Sequence, residues 1–134
     1  MGVLAVRHDL ASAGAVRAEL AADLTAQGVP PSACDDAVLV ASELVGNAVV
    51  HCAAAGRDLE VSWDVGDADI TVRVTDPSEA LPAARQAALT ATSGRGLAIV
   101  EALSAEWGVD VAPDGGGKQV WARVPVSSAR GATA

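Results

Sequence analysis

Basic residues and long apolar runs are scarce in this chain of 134 residues. Its 9 lysines and arginines are scattered among 17 acidic residues, which gives a formal net charge of −8 and leaves no basic surface for a phosphate backbone. No apolar run approaches the length of a membrane span, and residues 1–10 lack the basic and hydrophobic segments of a secretory signal. We therefore expect a cytoplasmic protein that binds neither nucleic acid directly nor a membrane.

Cysteine and histidine are also too few to build the commonest metal and disulfide sites. Cys34 and Cys52 fall far apart on one predicted helix, which excludes a disulfide between them. His8 and His51 are the only histidines, so no zinc cluster can form, and we expect His51 to be a hydrogen-bonded neighbour of a site rather than a catalytic group. The chain contains neither a Walker loop nor a dinucleotide-binding fingerprint.

The remaining composition predicts one folded domain. Hydrophobic residues make up 51% of the chain and charged residues 19%. We expect a single domain over residues 1–126 and a flexible tail over 127–134, with an irregular connection at 77–93 that closes as a lid.

Hydrophobic periodicity and turn residues predict a strand, two helices, two strands, a short helix and two strands, over residues 3–7, 12–27, 32–54, 59–65, 70–76, 97–103, 107–111 and 119–124. This order predicts an α+β domain of two layers, with helices on one face of a largely antiparallel sheet.

The long second helix carries a line of polar residues on an otherwise apolar segment. Glu43, Asn47 and His51 are spaced four residues apart, so each step moves round the helix by only about 40°. A carboxylate is a candidate general base and an amide oxygen a candidate Mg²⁺ ligand, and this spacing brings both to the same phosphate. Taken alone, the line is better explained as a solvent-facing stripe or as a buried polar network that fixes packing.

Two further motifs add candidate nucleotide contacts. Asp76 ends a predicted strand directly before Pro77, where its carboxylate can accept a hydrogen bond from an exocyclic amine, although an ordinary turn aspartate gives the same pattern. Gly94, Arg95 and Gly96 precede a predicted helix, an arrangement in which free backbone N–H groups bind an anion. Two glycines before a helix are common in loops, so this motif is weak by itself.

Taken together, the motifs resemble the anti-sigma-factor serine/threonine kinase branch of the histidine-kinase-like ATPases. The resemblance covers roughly residues 10–125 and depends on four segments in the family's order, S-E-L-V-G-N-A-V-V-H (42–51), V-R-V-T-D-P-S (72–78), G-R-G-L-A-I-V (94–100) and G-K-Q-V-W-A (117–122). It implies the Bergerat fold, a two-layer α/β sandwich with a largely antiparallel mixed sheet. It also implies a cytoplasmic regulator that binds ATP and Mg²⁺ and forms dimers.

The resemblance assigns a role to each matched residue. Glu43 is the implied base that activates a serine hydroxyl, Asn47 the Mg²⁺ ligand and Asp76 the adenine anchor. The glycine motif is the implied phosphate-binding turn, and the full set of implied nucleotide contacts is Asn47, Asp76, Ser78, Gly94, Arg95, Gly96, Leu97 and Gln119. The chain departs from the family pattern at Ser78, where many members of the superfamily have glycine, and at Gln119, where the family often has threonine.

The resemblance implies an anti-sigma factor that phosphorylates an anti-anti-sigma protein and forms a homodimer. The alternative is a non-catalytic module of the same fold that sequesters a sigma factor or another regulator with weak or no nucleotide binding. The departures at Ser78 and Gln119 favour this alternative, whereas the presence of Glu43 and Asn47 favours the kinase. A histidine kinase's catalytic domain fits less well, because no dimerisation helix with a phosphorylatable histidine precedes the fold.

Overall fold

The computed structural model describes residues 2–7, 12–51, 58–76, 94–111 and 117–126. Within these residues, the predicted order of strands and helices is confirmed, as β1 (Gly2–Arg7), α1 (Ser12–Ala26), α2 (Pro31–His51), β2 (Asp58–Val65), β3 (Asp69–Asp76), α3 (Gly94–Leu103), β4 (Glu106–Val111) and β5 (Lys118–Pro125). The predicted lid at 77–93 and the predicted tail at 127–134 lie outside the described residues. None of the helices in this part of the chain combines the length and apolar character needed to cross a bilayer.

The strands form one five-stranded sheet in the order β1-β2-β3-β5-β4. A largely antiparallel sheet was expected, and each of the pairings described is antiparallel. Side chains alternate between the two faces along each strand, and the even-numbered residues of β3 and β5 are the buried ones. The helices pack on this buried face, which we call the inner face, and the opposite face is called the outer face. The expected α+β class and two-layer arrangement are thereby confirmed.

Helix α1 packs through an apolar stripe whose residues are spaced four apart. Val16, Leu20 and Leu24 are fully buried, and burial of side chains of this size stabilises the fold by roughly 1.5–3 kcal/mol each. The helix ends where Gly28 adopts a φ of 82°, a conformation that glycine adopts at little cost. The amide of Gly28 donates to the Thr25 carbonyl and the next amide donates to the Leu24 carbonyl, each at 3.0 Å, which is the Schellman pattern of helix termination.

Helix α2 is the central helix of the layer. It packs against α1 on one side and α3 on the other, and it lies over β3 and β5. On the side of α2 opposite the polar line, Cys34, Ala41, Val45 and Ala48 are buried and Val38 is partly buried. A second line of side chains on α2 is buried as well, namely Ala33, Ala37, Val40 and Leu44. Because α2 has neighbours on several sides, only a narrow part of its surface remains for polar residues.

Candidate functional site

The polar line on α2 occupies that narrow part of the helix surface. Glu43 and Asn47 are both partly buried, and the residue that follows each of them, Leu44 and Ala48, is buried in the core. The Nδ2 atom of Asn47 is buried and makes no hydrogen bond to any described residue. A buried amide in this state loses its hydration without compensation, so it is a position where a polar ligand would be favourable. His51 is the last residue of α2.

Residue Ser42, next to the candidate base, holds α2 to α1. Its Oγ accepts a hydrogen bond from Nη1 of Arg17 at 3.0 Å, across 25 positions in sequence. A second polar contact ties α1 to the sheet, because Nε1 of Trp63 donates to Oδ2 of Asp23 at 2.7 Å. These contacts fix α1 and, through it, the part of α2 that carries Glu43.

Asp76 ends β3 on the inner face of the sheet. Its side chain is only 1% exposed, which is unusual for an aspartate at the end of a strand. The alternation along β3 explains this burial, since Ile70, Val72 and Val74 precede Asp76 on the same face and are buried too. The predicted position of Asp76 at the end of a strand is confirmed. Its side chain faces the helix layer, which the sequence did not predict.

A lysine that the sequence analysis missed lies directly opposite this aspartate. Lys118 pairs with Asp76 in the β3–β5 register and is only 2% exposed. Its Nζ is buried and makes no hydrogen bond within the described part of the chain. The alternation of β5 could have predicted this burial from the sequence. Val120, Ala122 and Val124 face inward, and Lys118 is two residues before the first of them. The predicted strand began one residue too late, at 119, and so omitted it.

Gln119, which the resemblance assigns to the nucleotide site, lies on the outer face instead. Its Nε2 donates to Oγ1 of Thr75 at 3.0 Å, and Thr75 is its partner in the register. A shallow depression of about 380 Å³ lies on this outer face, lined by Thr71, Arg73, Glu106, Asp110, Gln119, Trp121 and Arg123. The sheet thus separates Gln119 from Asp76, and the expected contact of Gln119 with the adenine side is not supported by this placement.

The glycine motif forms the first turn of α3 rather than a loop before it. The helix begins at Gly94, three residues earlier than predicted, and Arg95, Gly96 and Leu97 complete its first turn. The first four N–H groups of a helix have no partner within the helix, so this end can still bind an anion. The remaining predicted contact, Ser78, lies outside the described residues.

The packing of α2 connects these separate features. Helix α2 packs against α3, β3 and β5, so the elements that carry the candidate residues are neighbours in the fold. Glu43 and Asn47 lie on α2, Asp76 and Lys118 face each other across the β3–β5 register, and the glycine motif begins α3. Together these residues include an acceptor and a donor that suit a heterocyclic base, and donors that suit phosphate oxygens.

Comparison with known proteins shows what this chain is similar to. Residues 6–124 match the family model described as histidine kinase-like ATPase domain. Among curated proteins, none matches the chain significantly. The chain is similar to the crystal structure of the RsbU and RsbW domains of Rv1364c from Mycobacterium tuberculosis, with a TM-score of 0.68 and 24% sequence identity. That match covers 92% of this chain but 32% of the solved chain, so this protein spans about a third of that structure.

Proposed function

We propose that this chain, which belongs to the histidine kinase-like ATPase domain family, binds Mg-ATP beside α2 and transfers the γ-phosphoryl group to a protein serine or threonine. Membership in this family implies ATP as the ligand. One observation supports the position of the nucleotide most strongly: the almost fully buried Asp76 carboxylate faces the helix layer at the end of a central strand. The transfer step, its acceptor and the metal ion are part of the proposal.

Asp76 would recognise the base. A carboxylate accepts hydrogen bonds, and the exocyclic amino group of adenine donates them. At 1% exposure the carboxylate faces little competition from water, so a hydrogen bond to the base would contribute more than it would at the surface.

The N-terminus of α3 and the Asn47 side chain would hold the phosphates and Mg²⁺. Free N–H groups in the first turn of α3 donate to phosphate oxygens, and the helix dipole favours negative charge there. The buried Asn47 amide, whose Nδ2 lacks a hydrogen bond among the described residues, fits a ligand at this position. Its Oδ1 is a suitable ligand for Mg²⁺. A bound Mg²⁺ supplies the positive charge that stabilises phosphoryl transfer.

Glu43 would act as the general base. Its carboxylate takes the proton from the partner's hydroxyl as the hydroxyl oxygen forms a bond to the γ-phosphorus. The bond from the γ-phosphorus to the bridging oxygen breaks in the same transfer, and ADP leaves. Glu43 is partly rather than fully buried, so a hydroxyl carried on another protein can approach it.

The partners follow from the family branch that the motifs resemble. We propose that the chain is a cytoplasmic anti-sigma factor that binds a sigma factor, phosphorylates an anti-anti-sigma protein and forms a homodimer. Similarity of fold to a structure that contains an RsbW domain supports this branch. The formal net charge of −8 suits a basic protein partner rather than a nucleic acid.

A non-catalytic binding module remains the second candidate, and one structural observation reduces its support. The departure at Gln119 suggested an altered base pocket, but Gln119 is bonded to Thr75 on the outer face. That departure therefore does not touch the proposed base site. The departure at Ser78 lies outside the described residues.

The first test is a calorimetric titration of Mg-ATP into the wild type, Asp76→Ala and a control, Asp110→Ala. Asp110 is an exposed aspartate on the outer face, so its removal changes the charge equally without touching the site. We expect the wild type and the control to bind alike, and Asp76→Ala to bind at least about 10-fold more weakly. A wild type that does not bind Mg-ATP would overturn the proposal in favour of the binding module.

The same experiment extends to phosphoryl transfer. Glu43→Gln keeps the shape of the side chain but removes the base, so we expect it to bind Mg-ATP normally. Its transfer to anti-anti-sigma proteins should be slower by about 10²- to 10⁴-fold. If the wild type binds Mg-ATP but phosphorylates none of them, the nucleotide site survives and the kinase assignment does not.

A further inference from the structure

Lys118 is a buried cation with no hydrogen-bond acceptor in the described part of the chain. Its side chain is 2% exposed, and the Nζ atom itself is buried. An ammonium group carries three donors and is strongly hydrated in water, so burial without acceptors is costly. Lysine is almost never buried in this way unless something pairs with it. The position therefore requires an explanation that packing alone does not provide.

The register of the sheet places this donor next to the proposed base anchor. Lys118 and Asp76 are directly opposite each other in the antiparallel β3–β5 pair, where Cα atoms are roughly 4.5–5.5 Å apart. Both side chains lie on the inner face, and the preceding pair on that face, Val74 with Val120, is apolar and buried. An acceptor and a donor thus lie opposite each other at the end of a buried apolar row.

We propose that Lys118 recognises the nucleotide base, with Nζ donating to the adenine ring nitrogen next to the 6-amino group that Asp76 accepts from. This inference rests on the proposed function, because it needs a nucleotide at Asp76. Adenine presents its amino donor between two ring acceptors, N1 and N7, and either edge matches one carboxylate and one ammonium side by side. The pair would make the site selective for a base with adjacent donor and acceptor groups.

A purely structural role makes a different prediction. If Lys118 served only to hold Asp76 in place, its loss would weaken binding of every adenine nucleotide to the same extent. If Nζ contacts a ring nitrogen, its loss matters only when that nitrogen is present. Nucleotides in which one ring nitrogen is replaced by C–H therefore separate the two roles.

The test is a titration of Mg-ATP, Mg-1-deaza-ATP and Mg-7-deaza-ATP into wild type, Lys118→Met and Arg123→Met. Methionine matches the length of lysine without its charge. Arg123 is a control on the same strand, because it lies on the outer face, paired with Glu106, and its substitution changes the net charge equally. We expect Lys118→Met to bind ATP about 10- to 100-fold more weakly, and Arg123→Met to bind like the wild type.

The analogues give the decisive comparison. We expect one deaza analogue to bind the wild type about as weakly as ATP binds Lys118→Met. The affinity for that analogue should not fall further when Lys118 is replaced by methionine. If Lys118→Met lowers the affinity for all three nucleotides equally, or lowers none of them, the inference is overturned. If Lys118→Met fails to fold, equal affinity of the wild type for all three nucleotides overturns it instead. A wild type that binds none of them overturns the proposed function itself, which is a distinct result.

Discussion

The two faces of the β3–β5 pair differ in how their polar side chains are hydrogen-bonded. On the outer face, Nη1 of Arg73 lies 2.7 Å from Oδ2 of Asp64, and Gln119 donates to Thr75 at 3.0 Å. These groups satisfy one another while partly exposed to water. On the inner face, the Nζ atom of Lys118 is buried and has no such bond within the described residues.

This difference indicates which face is adapted to a ligand. Surface ion pairs are screened by water and contribute little to stability, so the outer network needs no further partner. A buried donor without an acceptor lowers stability, and a protein that retains one has a use for it or a partner that arrives later. Lys118 is such a donor on the inner face, and the Asn47 amide is another on α2, the helix that packs over this face and also carries the candidate base. The depression on the outer face, although concave, has no comparable group.

The largest expected effect concerns the apolar part of the inner face. Ile70 is fully buried at the start of β3, whereas its neighbour Thr71 lies on the outer face. We expect Ile70→Ala to reduce the free energy of unfolding by about 2–5 kcal/mol, because it removes buried carbon and leaves a cavity. Thr71→Ala should change it by less than about 1 kcal/mol. Urea unfolding of both variants measures the contrast, and similar losses would show that both faces are packed.

A smaller effect, of opposite sign, is expected at Lys118. In the absence of nucleotide, Lys118→Met replaces a buried ammonium with an apolar side chain of similar length. We expect the free energy of unfolding to rise by about 1–3 kcal/mol, because the cost of the unbonded donor is removed. Chemical unfolding of the nucleotide-free protein measures it, with Arg123→Met as the matched control. A loss of stability would mean that the ammonium already has a structural partner.

Much of the fold could be predicted from the sequence because each layer has its own period. The stripe of Val16, Leu20 and Leu24 on α1 and the two-residue alternation in β3 each indicate one buried face. The termination of α1 at Gly28 was also predictable, since glycine tolerates the positive φ that ends a helix. These features depend on local conformation and hydrophobic burial, which the sequence records directly.

The placement of site residues was less predictable, because it depends on strand phase and register. The predicted start of β5 was one residue late and left out Lys118, and adjacent residues of a strand face opposite sides of the sheet. Pairing of Lys118 with Asp76 joins positions 42 residues apart, and only the folded register shows it. The helix start at Gly94 was missed for another reason, since glycine disfavours helix and packing of α3 on α2 overrides that preference.

The smallest expected effect is at Gln119, and it tests the separation of the two faces most directly. Gln119→Thr introduces the residue that the resembled family often has, at a position whose side chain bonds to Thr75 on the outer face. We expect Mg-ATP affinity to stay within about 2-fold of the wild type, because the substitution lies away from the site. Unfolding free energy should fall by no more than about 1.5 kcal/mol, the contribution of one hydrogen bond. Calorimetric titration and urea unfolding provide both measurements. A loss of affinity near that of Asp76→Ala would place Gln119 in the nucleotide site and remove the distinction between the faces.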